Sequence, residues 1–265
     1  MSDPSGGRRR LPLLLGSGAV VVIAVVAIAI GVNGASSPLP ALPTPTPTAP
    51  VPTPTPSASA TPAPTAGATI AFADCATAKF GPVLAPINAP ASVHSYSAAP
   101  AMTINTAKLY QATIATAKGN IVLCLQPDLA PNTVNVFVTL ARNHYYDGIP
   151  FHRVVASFVI QGGDPECIGA VPVAPATPSG ECGSGGPGFQ FNDETVHEQY
   201  VEGAVAMANS GANSNGSQFF ICTADDSSTL TPSYNLFGKV ESGLSVALAI
   251  AQGDVMKSIT VKEQT

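Results

Sequence analysis

The feature that most constrains this chain is a pair of long runs in which aromatic and polar side chains are interleaved. They are FHRVVASFVIQGGD at 151–164 and MANSGANSNGSQFF at 207–220. Both have the period of a buried strand, in which every second side chain points to the same face of a sheet. A plain core would not need Arg, Gln and Asn there. We therefore expect a sheet that gathers one guanidinium, several amides and aromatic rings around a shallow groove.

These two runs closely resemble the signature segments of the cyclophilin family of peptidyl-prolyl cis/trans isomerases. The resemblance extends over roughly residues 110–261. Two long matches in the same order are far more specific than one short motif. The resemblance implies a mainly β fold: a closed eight-stranded antiparallel barrel capped by two α-helices.

Periodicity alone divides the same region into short strands and two helices. A hairpin is expected around Lys118-Gly119, and apolar residues recur at helical spacing after Pro131 and after Ser242. Strands are predicted at 110–116, 120–125, 151–155, 158–162, 203–208, 218–222, 236–240 and 258–261, and helices at 131–142 and 242–251. Short strands with Gly-rich turns and two helices are typical of an antiparallel barrel with helices over its ends.

The resemblance also assigns roles to individual positions of this sequence. It implies catalytic residues at Arg153, Phe158, Gln161 and Phe220, and substrate-binding residues at Val159, Met207, Ala208, Asn209, Gln218, Leu230 and Tyr234. The apolar members would line a pocket for the proline ring, although periodicity alone would make them ordinary core residues. The three amides would bond the substrate backbone. His152 is expected to be structural, because alternation points it away from Arg153.

The chemistry of the implied reaction suits such a groove. Rotation about an X-Pro bond crosses a barrier of about 18–20 kcal/mol, because the amide has partial double-bond character. No covalent bond breaks, so neither a nucleophile nor a metal nor a cofactor is expected. The site must bind the twisted amide better than either planar form. The resemblance implies that Arg153 donates to the prolyl nitrogen, which suits a guanidinium because it is always charged and holds its N–H groups in a rigid fork. The alternative for Arg153 is a surface salt bridge. The alternative function is a non-catalytic holdase that uses the same groove.

Three departures from the family pattern modify these expectations. Thr229 stands where many members have a tryptophan, and the chain contains no Trp. We therefore expect weak binding of cyclosporin. Val159 stands where Met is usual and Tyr234 where His is common, and both keep an apolar wall. The loop at 165–184, called here the insertion loop, is longer than the Gly-rich loop typical of the family.

The insertion loop contains two of the five cysteines of the chain. Cys167 and Cys182 are fifteen residues apart in a domain expected to be exported, so a disulfide between them is predicted. Zinc is the weaker alternative, because no other Cys or His lies at a suitable spacing. Cys222 falls in a predicted core strand. Cys75 and Cys124 could tie the preceding extension to the barrel, but the sequence does not settle their connectivity.

The segment at 11–32 carries no charge and directly follows Arg8, Arg9 and Arg10. As a helix it would span about 33 Å, enough for a bilayer core, and the arginines predict a cytoplasmic N-terminus. We expect an uncleaved single-pass anchor in the cell membrane with the catalytic domain outside the cytoplasm. The alternative is a signal peptide whose cleavage releases a secreted domain.

The remaining organisation follows from composition. Residues 1–10 form a basic N-terminus, and 33–68 form an uncharged linker rich in Pro, Thr and Ala. Such a linker is expected to be disordered and extended, at about 3.1 Å per residue. An irregular extension at 69–106 precedes an isomerase domain at 107–265. Beyond residue 32 there are eight Lys and Arg against fifteen Asp and Glu, which argues against nucleic acid as a partner. The expected partners are proline-containing segments of exported proteins.

Overall fold

The computed structural model describes residues 69–87, 94–169 and 182–265, all of which belong to the second of two units of the chain, 59–265. The predicted basic terminus, membrane segment and linker lie outside the described residues. Within the described ranges, no helix is both long and apolar enough to cross a bilayer.

The described residues form one antiparallel sheet of nine strands and two α-helices. The strands are β1 (Phe80–Val83), β2 (Tyr110–Ala115), β3 (Asn120–Leu125), β4 (Arg153–Val155), β5 (Val159–Gly162), β6 (Ala204–Met207), β7 (Phe219–Cys222), β8 (Leu236–Ser242) and β9 (Ser258–Gln264), and the helices are α1 (Pro131–Arg142) and α2 (Leu244–Ala249). The strand order is β1-β9-β2-β3-β8-β6-β7-β5-β4. The predicted antiparallel sheet with two helices is confirmed.

The closed barrel stays a prediction, because this order has β1 and β4 as its two edges. Backbone hydrogen bonds nevertheless join the segment before β4 to the segment before β9. Gly148 donates to Met256 (2.8 Å), Met256 donates to Ile149 (3.0 Å) and Phe151 donates to Asp254 (2.8 Å). The chain that leads into one edge strand therefore lies against the chain that leads into β9.

Strand β1 comes from the segment that was expected to be an irregular extension. It pairs with β9 through Phe80 opposite Gln264 and Val83 opposite Lys262. The expectation missed this strand because Gly81 and Pro82 are residue types depleted in strands. Proline is tolerated on an edge strand, where its missing N–H breaks no ladder.

The same extension is tied to β3 by a disulfide between Cys75 and Cys124, with Cα atoms 5.7 Å apart. Beside it, the Gln126 side chain accepts a hydrogen bond from Ala73 N (2.7 Å) and donates one to Ala71 O (3.0 Å). The extension is thus held by a covalent bond, by an amide that satisfies its backbone and by strand pairing.

Strand alternation sorts the apolar side chains of the sheet into two groups. On β6, Val205 and Met207 belong to the main core with Phe137 of α1. Ala204 and Ala206, one residue out of phase, belong to a second group, called here the site cluster. Its buried members are Leu129, Val159, Val196, Tyr200, Ala204, Ala206, Phe220, Cys222 and Leu236. One face of β5, β6 and β7 therefore forms the floor of a separate apolar surface.

Candidate active site

A row of directly paired residues crosses four neighbouring strands. Arg153 on β4 lies opposite Gln161 on β5. Gln161 lies opposite Phe220 on β7, and Phe220 lies opposite Ala206 on β6. Paired residues of antiparallel strands present their side chains to the same face, with Cβ atoms about 4.5–5.5 Å apart. The register alone therefore places a guanidinium, an amide and an aromatic ring side by side.

The guanidinium of Arg153 stands at the exposed end of this row. Its Nη1 donates to Gln161 Oε1 at 3.5 Å, and its Cζ lies 5.7 Å from the centroid of the Phe158 ring. The second distance is within the range of a cation–π contact. A guanidinium has five N–H donors, and the contact with Gln161 occupies one of them. The guanidinium is thus held by Gln161 and Phe158 at the exposed end of the row, and the contact with Gln161 does not use its other donors.

The apolar residues predicted to hold a proline ring lie together. Val159 and Phe220 are 2% and 5% exposed and form the floor. Half-buried side chains packed against this floor include Phe158, Ala208, Leu230 and Tyr234. The Phe220 and Tyr234 rings meet edge to face at 5.5 Å. The result is an apolar surface with a buried base and partly exposed side chains around it.

The predicted amides border the next part of the groove. Gln161 Nε2 donates to Gln218 Oε1 at 2.9 Å, and Asn209 Nδ2 donates to Ser233 O at 2.8 Å. The backbone N–H of Ala208 donates to the backbone oxygen of Gln218 (2.8 Å). A cavity of ≈ 790 Å³ adjoins these residues, lined on its other side by the 183–190 segment. The apolar residues around Phe220 and this cavity therefore lie on either side of Gln161 and Ala208.

The prediction of Met207 as a substrate-binding residue is wrong. Its side chain is 0% exposed and lies in the main core, beside its strand partner Phe219. Alternation along β6 is the reason, because Ala206 and Ala208 face the groove and Met207 faces inward between them.

His152 lies next to Arg153 in sequence but is buried, at 4% exposure. Burial lowers the pKa of its imidazole, an effect that the nearby Asp164 carboxylate partly offsets. This position fits the structural role expected for it. Among the described residues, no three His, Cys, Asp or Glu side chains lie together in a way that could hold a metal ion.

One polar residue of the site was not singled out from the sequence. Asp164 ends the first signature run and is 0% exposed. It follows Gly163, whose φ of +96° turns the chain out of β5 in a conformation that favours glycine. Asp164 accepts backbone N–H bonds from Glu166 and Gly183 at the two ends of the insertion loop, which a Cys167–Cys182 disulfide joins, and from Gly185 just beyond it. Its position at the end of the motif was the only available signal.

Comparisons with known proteins identify the family. The model of the family described as cyclophilin type peptidyl-prolyl cis-trans isomerase/CLD matches residues 111–265. Over 157 residues the chain is 41% identical to a peptidyl-prolyl cis-trans isomerase of Helicobacter pylori, covering 58% of this chain and 87% of the relative. It is 39% identical over 140 residues to peptidyl-prolyl cis-trans isomerase B of Bacillus subtilis, covering 52% of this chain and 87% of the relative.

Among solved structures, a cyclophilin type peptidyl-prolyl cis-trans isomerase of Cryptosporidium parvum superposes with a TM-score of 0.49 at 26% identity, covering 58% of this chain and 97% of that chain. The family match and the bacterial relatives confirm the expected class. The chain belongs to the cyclophilin-type peptidyl-prolyl cis-trans isomerases. It is an enzyme that accelerates cis/trans rotation of X-Pro bonds.

Proposed function

We propose that Arg153 drives the rotation by donating a hydrogen bond to the prolyl nitrogen of the half-turned amide. The observation that carries this proposal is the row in which Gln161 is the direct strand partner of both Arg153 and Phe220. In the twisted amide, resonance is lost and the nitrogen regains a lone pair. A donor aimed at that nitrogen helps the transition state and neither planar form, as catalysis by differential binding requires.

The energy required is consistent with one such donor and a prepared groove. An acceleration of about 10⁵-fold needs about 7 kcal/mol of differential stabilisation. A hydrogen bond from a charged donor supplies roughly 1.5–3 kcal/mol. The rest comes from holding both flanks of the proline and from fixed dipoles in a partly dry pocket. Phe158 and Gln161, which contact the guanidinium, belong to this prepared arrangement.

The proposal extends to where the enzyme works. The uncharged 11–32 segment after three arginines supports a single-pass anchor, and two disulfides favour an oxidising compartment outside the cytoplasm. The proposed substrates are therefore proline-containing segments of exported proteins. Protease added outside intact cells should remove the 69–265 domain from an anchored chain. Protection from that protease would contradict the proposed topology, and release of the domain into the medium would indicate cleavage.

The test of the catalytic proposal uses the full chain and an Ala-Pro peptide followed by NMR exchange spectroscopy. Wild type should accelerate cis/trans exchange, and Arg153→Ala should lose most of that acceleration. Arg142→Ala is a matched control, because Arg142 is an arginine on α1 that bonds Ala85 O and lies outside the row. An Arg153→Ala variant with near-normal exchange would remove Arg153 from the mechanism. Peptide binding without any exchange in wild type would indicate the holdase instead.

A further inference from the structure

We propose that Asp164 is a positioning residue for the isomerase reaction: it fixes the orientation of the Gln218 amide, and through Gln218 that of Gln161 beside Arg153. The inference rests on the proposed role of Arg153. It adds a buried carboxylate and the two ends of the insertion loop to the machinery that holds the guanidinium. Asp164 itself touches no substrate.

Asp164 is surrounded by hydrogen-bond donors. Its Oδ1 accepts from Glu166 N at 2.9 Å, and its Oδ2 accepts from Gly183 N at 2.5 Å and from Gly185 N at 3.0 Å. The loop backbone comes so close that a Cβ on Gly185 would overlap the Asp164 carboxylate. The Cys167–Cys182 disulfide joins the two parts of the loop that contribute these donors. The carboxylate and the loop ends therefore form one fixed unit.

This unit presents only acceptors to Gln218. The Gln218 side-chain nitrogen lies 2.9 Å from Gly185 O, 3.2 Å from Gly183 O and 3.5 Å from Asp164 Oδ2. Carbonyl and ionised carboxylate oxygens accept hydrogen bonds and cannot donate them. Only the NH₂ end of the Gln218 amide can face three such oxygens, so its Oε1 must face the opposite way.

The orientation of Gln218 then determines that of Gln161. Gln218 Oε1 is an acceptor, so the NH₂ of Gln161 turns toward it, with a donor–acceptor distance of 2.9 Å. The Oε1 of Gln161 is left facing Arg153 Nη1 at 3.5 Å. If both amides were reversed, the NH₂ of Gln161 would meet the guanidinium, and two donors would repel each other. The Asp164 carboxylate, at the buried end of this series of hydrogen bonds, thus keeps the Gln161 oxygen facing the Arg153 guanidinium at the other end.

Asp164→Asn tests this directly, because it keeps the shape of the side chain and replaces one acceptor oxygen with a donor NH₂. We expect kcat to fall about tenfold, the loss of one well-placed hydrogen bond to a charge, with KM changed less than about twofold. In an Arg153→Ala background the same substitution should cost almost nothing, since there is no guanidinium left to position. Asp147→Asn makes the same chemical change beside His144, outside this network, and should leave kcat unchanged.

The double-variant comparison separates this inference from the proposed function. If Arg153→Ala alone keeps wild-type turnover, the role of Arg153 fails. If Arg153→Ala is impaired but Asp164→Asn lowers kcat equally in both backgrounds, or acts through KM alone, the positioning role is overturned. A folded Asp164→Asn enzyme with wild-type kcat also overturns it. Gly185→Ala, which displaces the loop backbone from the carboxylate, should give the same Arg153-dependent pattern.

A measurement on the wild-type protein covers the case in which these variants do not fold. The side-chain NH₂ protons of Gln218 should show nuclear Overhauser effects to the Gly183 and Gly185 backbone, and those of Gln161 should show them to Gln218. Effects from the Gln218 NH₂ to Gln161, without any to the two glycines, would mean the reverse orientation and would overturn the inference.

Discussion

Replacing the Cys75–Cys124 disulfide with two alanines tests how the extension is attached to the sheet. Both cysteines are buried, at 3% and 4% exposure, and the bridge closes a loop with a sequence separation of 49. A cross-link stabilises mainly by restricting the unfolded chain, and for a loop of this length the chain-entropy relation gives about 4 kcal/mol. The Cys167–Cys182 bridge, with a separation of 15, gives about 3 kcal/mol by the same relation.

The loss should appear in stability and not in turnover. The Cys75–Cys124 bridge lies beside Ala73 and Gln126, and neither cysteine belongs to the row that contains Arg153. Ile70 and Phe72 pack against the site cluster. Loss of the bridge should lower the unfolding free energy, but in the folded protein at 25 °C these two side chains should stay packed and the groove should keep its shape.

Urea unfolding followed by far-UV circular dichroism measures the effect, since the chain has no tryptophan to report by fluorescence. With a urea dependence of about 2 kcal/mol per molar, the midpoint should fall by about 2 M. Cys167→Ala/Cys182→Ala is the matched control and should cost about 1 kcal/mol less. A loss below about 1 kcal/mol for the Cys75 pair, or a larger loss for the shorter loop, would refute this reasoning.

Two further predictions concern single residues of the domain. Cyclosporin should inhibit weakly because Thr229 is exposed and offers no indole; Thr229→Trp should tighten inhibition in a titration, and tight inhibition of wild type would contradict this. Burial lowers the pKa of His152 below its ordinary 6.5, so the unfolded chain takes up the proton first as pH falls. Stability should therefore be full above about pH 6.5 and decrease below it. His152→Gln should remove that contribution to the pH dependence. If denaturant unfolding at several pH values shows the same change of unfolding free energy with pH in the variant, another group causes it.

Much of the fold was predictable because it depends on local alternation, and most of the site was predictable because its residues lie in two motifs that resemble those of a known family. The eight strands and two helices expected within 107–265 lie within a few residues of β2–β9, α1 and α2. Alternation along β5 places Val159 and Gln161 on one face, and strand pairing then adds Phe220 and Arg153 to it. These relations need only the period of a strand and the order of the motifs.

What could not be predicted depends on partners that are distant in sequence. Strand β1 is defined by its pairing with β9, not by its own composition. Met207 was misassigned because it lies in the second signature run, and membership of that run does not tell which face of β6 a residue occupies. The hydrogen-bond donors around Asp164 are backbone groups about twenty residues away in the sequence. A pattern of side chains does not predict where such backbone donors lie.

The central claim is that Arg153 assists only the half-turned amide. NMR line-shape analysis of the full chain with an Ala-Pro peptide yields the dissociation constant and the exchange rate on the enzyme from the same spectra. For Arg153→Ala the account predicts a dissociation constant within about threefold of wild type and an exchange rate at least about tenfold slower. An unchanged exchange rate, or an affinity loss as large as the loss of rate, would contradict it.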